Sequence, residues 1–306
     1  VFKRVDFSDS AEAKLGYDLT FGARSVNQSF SGGGVVGAST DTWRFNLLGA
    51  WEKGDDTKYK DGTIAGTEFE RGVFGVSAGV KLGEGTLSMD LRRQNTGPSG
   101  NPPFPMDIRY FDTDFARIAY DTEIAGIALQ AEVHYNDVEH AMNNYDMRPP
   151  PSAMNMREAF ASSTTRGGSL KAGFDAFGGT LLTGLDGDTV DHNMFIVNPM
   201  NANFYVGAYP HITQDRVGAF GEWTGSLGLF ESELGLRIDQ HSYDAGDVVL
   251  GSALPAMPQM LAMQFNAADR SADDTTADIV ARFWTPSASG LSWRFTLARK
   301  QNMPGY

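Results

Sequence analysis

The chain has 306 residues and no cysteine, and its 38 acidic side chains outnumber 25 basic ones for a formal charge of −13. That balance leaves no basic stripe to neutralise phosphates, which excludes a nucleic-acid partner, and the missing thiols exclude disulfides and thiolate metal sites. No apolar run approaches the ~20 residues of a membrane helix.

The chain opens at Val1 rather than at Met, so a processed or truncated N-terminus is expected. From there the periodicity is two, not 3.6. The first predicted strand, 12–24, sets Leu15, Tyr17, Leu19 and Phe21 against Lys14, Gly16, Asp18 and Thr20. A Gly-rich strand at 26–38 follows, then 41–53, where Trp43, Phe45, Leu47 and Trp51 alternate with Arg44, Asn46 and Glu52. Strands at 67–82 and 86–95 meet at Gly83-Glu84-Gly85, and Leu87, Met89 and Leu91 alternate with Ser88, Asp90 and Arg92. The next pair is 108–122 and 127–140. In the second of these, Leu129, Ala131, Val133 and Tyr135 alternate with Gln130, Glu132, His134 and Asn136. Strands at 164–176, 179–188, 211–225, 229–242, 273–286 and 290–300 complete about thirteen, each with one apolar and one polar face.

From the third strand onward the connections alternate in length. The segments 54–66, 96–107, 141–163, 189–210 and 243–272 are long; 83–85, 123–126, 177–178, 226–228 and 287–289 are short. In an up-and-down meander alternate connections share an end, so one end carries the long loops and the other the tight turns. That asymmetry, with strands of up to ~15 residues rather than the usual five or six, predicts an all-β, antiparallel up-and-down transmembrane β-barrel. The competing reading is a soluble sandwich or propeller; a propeller would show a fixed repeat, and none is present.

Several stretches resemble TonB-dependent outer-membrane receptors: "LTFGARSVNQSFSGGG" and "WRFNLLGAWEKGDDTKYKDG" resemble their first barrel strands, "VGAFGEWT" at 217–224 a recurrent strand, and "ARKQNMPGY" a segment past mid-barrel. Two segments, "MDIRYFDTDFARIAYD" at 106–121 and "NDVEHAMNNYDMRPPPSAMNMREAF" at 136–160, resemble the copper-receptor branch, in which a strand ends in an H-x-M segment before a Pro- and Met-bearing loop. The resemblance implies a receptor in the outer membrane of a Gram-negative bacterium, in contact with its lipid and coupled to the TonB complex through a plug domain. It also implies His140 and Met142 as barrel-side ligands for a transported copper ion. Such barrels hold about 22 strands, so thirteen are expected to be the N-terminal half of one, residues 1–306, without the plug or the C-terminal strands.

The chemistry of the loops points the same way. Met106, Met142, Met147, Met154, Met156, Met194, Met200, Met257, Met260 and Met263 fall in the long segments or at their edges; only Met89 is mid-strand, and Met303 follows the last strand. Thioether sulfur is a soft ligand that selects Cu(I), and imidazole binds copper in either state. If alternation continues to the end of 127–140, His140 and Met142 share the polar face, ~6.5–7 Å apart at Cα. Met147, Met154 and Met156 are further candidate ligands, as is a second H-x-M, His192-Asn193-Met194, expected to open another loop. The acidic run Asp186 to His192 lacks the spacing of a calcium loop and reads as a solvated loop. Three other functions are weighed against copper import. A ferric siderophore or other metal-chelate receptor favours aromatic and Arg-rich loops. A passive porin needs opposed charged rings in its lumen. An enzyme is not expected, since no G-x-S-x-G nucleophile motif is present.

Overall fold

The computed structural model describes residues 4–285, 290 and 292–301. In chain order its strands are β1 (Lys14–Arg24), β2 (Ser29–Ser39), β3 (Trp43–Gly54), β4 (Thr57–Tyr59), β5 (Gly62–Ile64), β6 (Phe69–Leu82), β7 (Gly85–Thr96), β8 (Asp107–Ile124), β9 (Ile127–Asn143), β10 (Glu158–Ala176), β11 (Gly179–Asn198), β12 (Asn201–Leu227), β13 (Phe230–Ala245), β14 (Ser271–Trp284) and β15 (Arg294–Arg299); one α-helix, α1 (Ala256–Ala267), precedes β14. Apart from the small β4–β5 hairpin these form one thirteen-stranded sheet in sequential order, every neighbouring pair antiparallel. At residues 83–84, 125–126, 177–178, 199–200 and 228–229, two-residue turns return the chain directly to its neighbour. Ala125-Gly126 and Phe177-Gly178 both hold two positive φ angles in a row, as a type I′ turn requires.

The two faces of the sheet differ in kind. One carries Val133, Leu170, Leu185 and Val217 in adjacent strands, 57–66% exposed. A water-soluble fold would tuck such a band away; on this sheet it is the lipid-facing belt. Above the belt on the same face the residues turn ionic, with Asp114 opposite Asp137 and Asp112 opposite Glu139. The other face carries ion pairs. Arg117 meets Glu132 at 2.6 Å, Arg216 meets Asp239 at 3.0 Å, and Arg237 meets Asp186 at 2.7 Å. Residues 4–7 lie against this inner face: Val5 and Asn46 exchange hydrogen bonds of 2.8 and 3.0 Å, and Arg4 pairs with Asp90 at 2.5 Å.

Several predicted boundaries move. The segment 189–210 is not a loop. β11 and β12 stay paired to a turn at Pro199-Met200, so His192 and Met194 lie within a strand. Outside the lipid both faces of a strand are polar, with Thr189, Asp191 and Asn193 on one and Asp188 and His192 on the other. The alternation that reveals a strand in lipid therefore disappears there, although the hydrogen bonding continues. For the same reason the acidic run begins inside β11, where Asp186 and Asp188 are ion-paired to Arg216 rather than solvated in a loop. The loop 141–163 shortens to 144–157, and 243–272 contains α1, on which Met257, Met260 and Met263 are exposed. The turn at 287–289 and Met303, with the tail beyond Gln301, lie outside the described residues.

Candidate functional site

The end of the sheet with the long connections is built around the upper parts of β8, β9 and β10. β9 pairs with β10 without a register shift from Ala128 to Asn143, so its even positions stay on one face throughout. His140 and Met142 therefore share the inner face with Glu132 and His134. His140 sits opposite Phe111 of β8 and Ala161 of β10, its ring centroid 4.9 Å from that of Phe111. Its Nε2 is buried and has no hydrogen-bond partner. A buried ring nitrogen without a partner costs free energy that native structures rarely leave uncompensated. Met142 follows two residues on, opposite Ile108 and Ala159.

The methionine-bearing loop 144–157 is held at many points. Asn143, 1% exposed, accepts hydrogen bonds from the backbone N–H groups of Tyr145 and Asp146, which fixes the exit from β9. Asn144 and Arg157 close the neck: the Arg157 N–H donates to Asn144 Oδ1 at 2.9 Å and the Asn144 N–H to the Arg157 carbonyl at 3.3 Å. Arg148 reaches from the loop to Asp107, donating through Nε at 2.7 Å and Nη2 at 2.5 Å, and also to the Phe104 carbonyl at 2.9 Å. Asp107 lies above the lipid-facing belt. Its hydrogen bonds from Arg148 hold its carboxyl below the ordinary 3.8, against the effect of burial. The Tyr145 hydroxyl donates to Glu158 at 3.0 Å; burial and that carboxylate push the phenol up to about 12, so it stays a neutral donor.

The loop methionines occupy two settings. The carbonyl of Met154 accepts from Arg157 at 2.8 Å and from Asn198 at 3.2 Å, so its backbone is pinned while its side chain is 82% exposed. The Met156 carbonyl accepts from Arg157 at 2.6 Å, and the side chains of Met147 and Met156 are half-buried. Sequence reasoning missed the anchors Asp107, Arg148 and Asn198, whose partners lie on other strands and loops, and Asn143, which holds the first residues of the loop. It also placed the second H-x-M apart from the first, whereas pairing sets them two strands from each other. Ala161 of β10 stands opposite both His140 and Met194, and Ser163 stands opposite both Val138 and His192. Among the described residues no three or more histidine and carboxylate side chains are grouped to hold a metal ion. The donors that do share a wall here are imidazole and thioether, which suit a soft cation rather than a hard one.

Comparison with known proteins gives a family but no sequence relative. No curated protein sequence matches the chain. Among solved structures it is similar to the copper transporter OprC, with a TM-score of 0.78 and 19% identity over 99% of this chain and 46% of that one. It is also similar to the Serratia marcescens hemophore receptor HasR, solved as a double mutant with its hemophore HasA and heme (TM-score 0.64, 12% identity, 90% of this chain and 43% of that one). A third is the alcaligin outer-membrane receptor FauA of Bordetella pertussis (TM-score 0.54, 13% identity, 89% of this chain and 43% of that one). The chain thus spans less than half the length of each. The family described as TonB dependent receptor-like, β-barrel, matches residues 6–298, nearly the whole chain. The antiparallel meander with a greasy outer belt and an ionic inner wall agrees with that match, and the chain belongs to the TonB-dependent receptor β-barrel family of the Gram-negative outer membrane.

Proposed function

We propose that this chain is the barrel portion of a receptor that captures copper at the extracellular mouth and imports it. In this reading His140 and Met142 hold the ion, the methionines of loop 144–157 deliver it, and a plug domain coupled to TonB drives its passage. The observation that carries the reading is the buried, unpartnered Nε2 of His140 on the same inner face as the thioether of Met142. A soft cation bound there would satisfy the nitrogen, and no proton has to leave a thioether for it to bind. The likeness to a copper transporter supports the reading at the level of fold.

The test is copper binding and uptake by the full-length receptor and its His140→Ala and Met142→Leu variants. Each variant is expected to weaken Cu(I) binding by roughly tenfold or more, in line with the loss of a metal-site partner. Binding by the unaltered protein is expected to fall in acid, because protonation of an imidazole competes with the metal, while the thioether part of the affinity persists. Unchanged copper binding in both variants, together with uptake of a ferric chelate, would overturn copper as the cargo.

A further inference from the structure

From the register of three strands we infer that Met194 is a third ligand for the ion held by His140 and Met142; the inference rests on the copper reading above. Ala161 faces His140 on one side and Met194 on the other, so the three residues lie in one row across β9, β10 and β11 on the inner face. The adjoining row places Met142 beside Ala159, another alanine. His140 and Met194 are therefore two strand spacings apart, ~9.5–10 Å between backbones. Only a methyl group stands between them. Imidazole and thioether side chains extending from either side close that gap with donor–metal bonds of ~2.0–2.4 Å. A leucine or phenylalanine at 161 would wall the two donors apart.

The His140 ring packs on Phe111, and its Nε2 is buried with no hydrogen-bonding group in reach. Met194 is half-buried, and β11 departs from even pairing with β12 beside it, between His192 and Met194 and again between Met194 and Phe195. In β12 the departure coincides with His211 at φ 47°. Bulges recur next to functional sites, where they re-aim a side chain. His192 lies one row away, opposite Ser163, and is exposed. It is farther from Met142 than Met194 is, so it is not assigned to the same ion.

The experiment uses the full-length receptor, with Cu(I) and Ag(I) as probes. It reads affinity by competition with a chromophoric chelator and the number of bound sulfurs by X-ray absorption. Met194→Leu keeps the volume and removes the sulfur; Ala161→Leu keeps every donor and fills the gap; Met89→Leu, within β7 and away from the site, is the control. Met194→Leu is expected to weaken binding by roughly tenfold or more and to lower the sulfur count by one, and Ala161→Leu to weaken binding comparably. If His140→Ala abolishes binding while Met194→Leu matches the control in affinity and sulfur count, this inference falls and the copper reading stands. A weaker affinity with an unchanged sulfur count also overturns it, since Met194 would then act only through packing. If His140→Ala binds normally, both readings fall.

Discussion

Asp107 is 2% exposed, and its cationic partner among the described residues, Arg148, comes from a loop 41 positions away. Removing one member of a buried ion pair strands the other, at a cost of about 3 kcal/mol or more. Arg148→Ala is thus expected to free loop 144–157 and leave the sheet intact. Hydrogen exchange should quicken at the amides of Tyr145 to Arg148 and stay slow in β9 and β10; unchanged exchange in the loop would mean that other contacts hold it. Acid acts on the same tether. With its folded pKa depressed, Asp107 stabilises the rim at any pH above the ordinary carboxylate range, and that contribution is lost only as pH falls through the lower folded value. Residue chemistry of this kind was only partly legible in the string. His140 and Met142 were marked by the resemblance to the copper-receptor branch, and their two-residue spacing at the end of a strand with a polar face supported them. The neighbourhood of Met194 depends on which alanine stands opposite it, and that is a property of pairing, not of the string.

The strands carry two solvents on two faces. Val133, 58% exposed, belongs to the outer row of β9 and pairs with Ile118 and Gly168, whereas His134, its neighbour in sequence, faces inward opposite Arg117 and Gly167. Val133→Arg is expected to destabilise the protein in phospholipid vesicles by ~2–4 kcal/mol, the cost of a cation near the bilayer midplane. His134→Gln is expected to change little. Denaturant titration in vesicles measures both, and equal effects would contradict the assigned faces. Within the lipid this alternation was readable, which is why the strand count and the order of turns came through. Beyond the lipid it was not, and 189–210 passed for a loop although β11 and β12 pair, with bulges, to the turn at Pro199-Met200. The helix α1 was hidden for another reason. Its sequence AMPQMLAMQFNA is rich in helix-forming Ala, Met, Gln and Leu, but it buries no residue, so no apolar stripe marks it.

At the scale of the molecule the sheet has two free edges among the described residues: β1 pairs only with β2, and β15 only with β14. Hydrocarbon offers nothing to unpaired backbone groups, so in a membrane these edges need partners, from further strands or from each other. For residues 1–306 in detergent micelles, amide exchange is expected to be slow through β8 to β12 and fast along β1 and β15. Equal protection everywhere would show that the edges have joined. Inside the sheet, two neighbouring strands run far beyond the lipid. β12 runs for 27 residues, ~90 Å of contour, where the hydrocarbon is only ~30 Å thick, and β11 pairs with it, through three register shifts, up to the turn at Pro199-Met200. The cell therefore holds a stiff mast out into its surroundings. An antibody or a phage fibre arriving from outside would grip a shape already set, and would lose little affinity to ordering it.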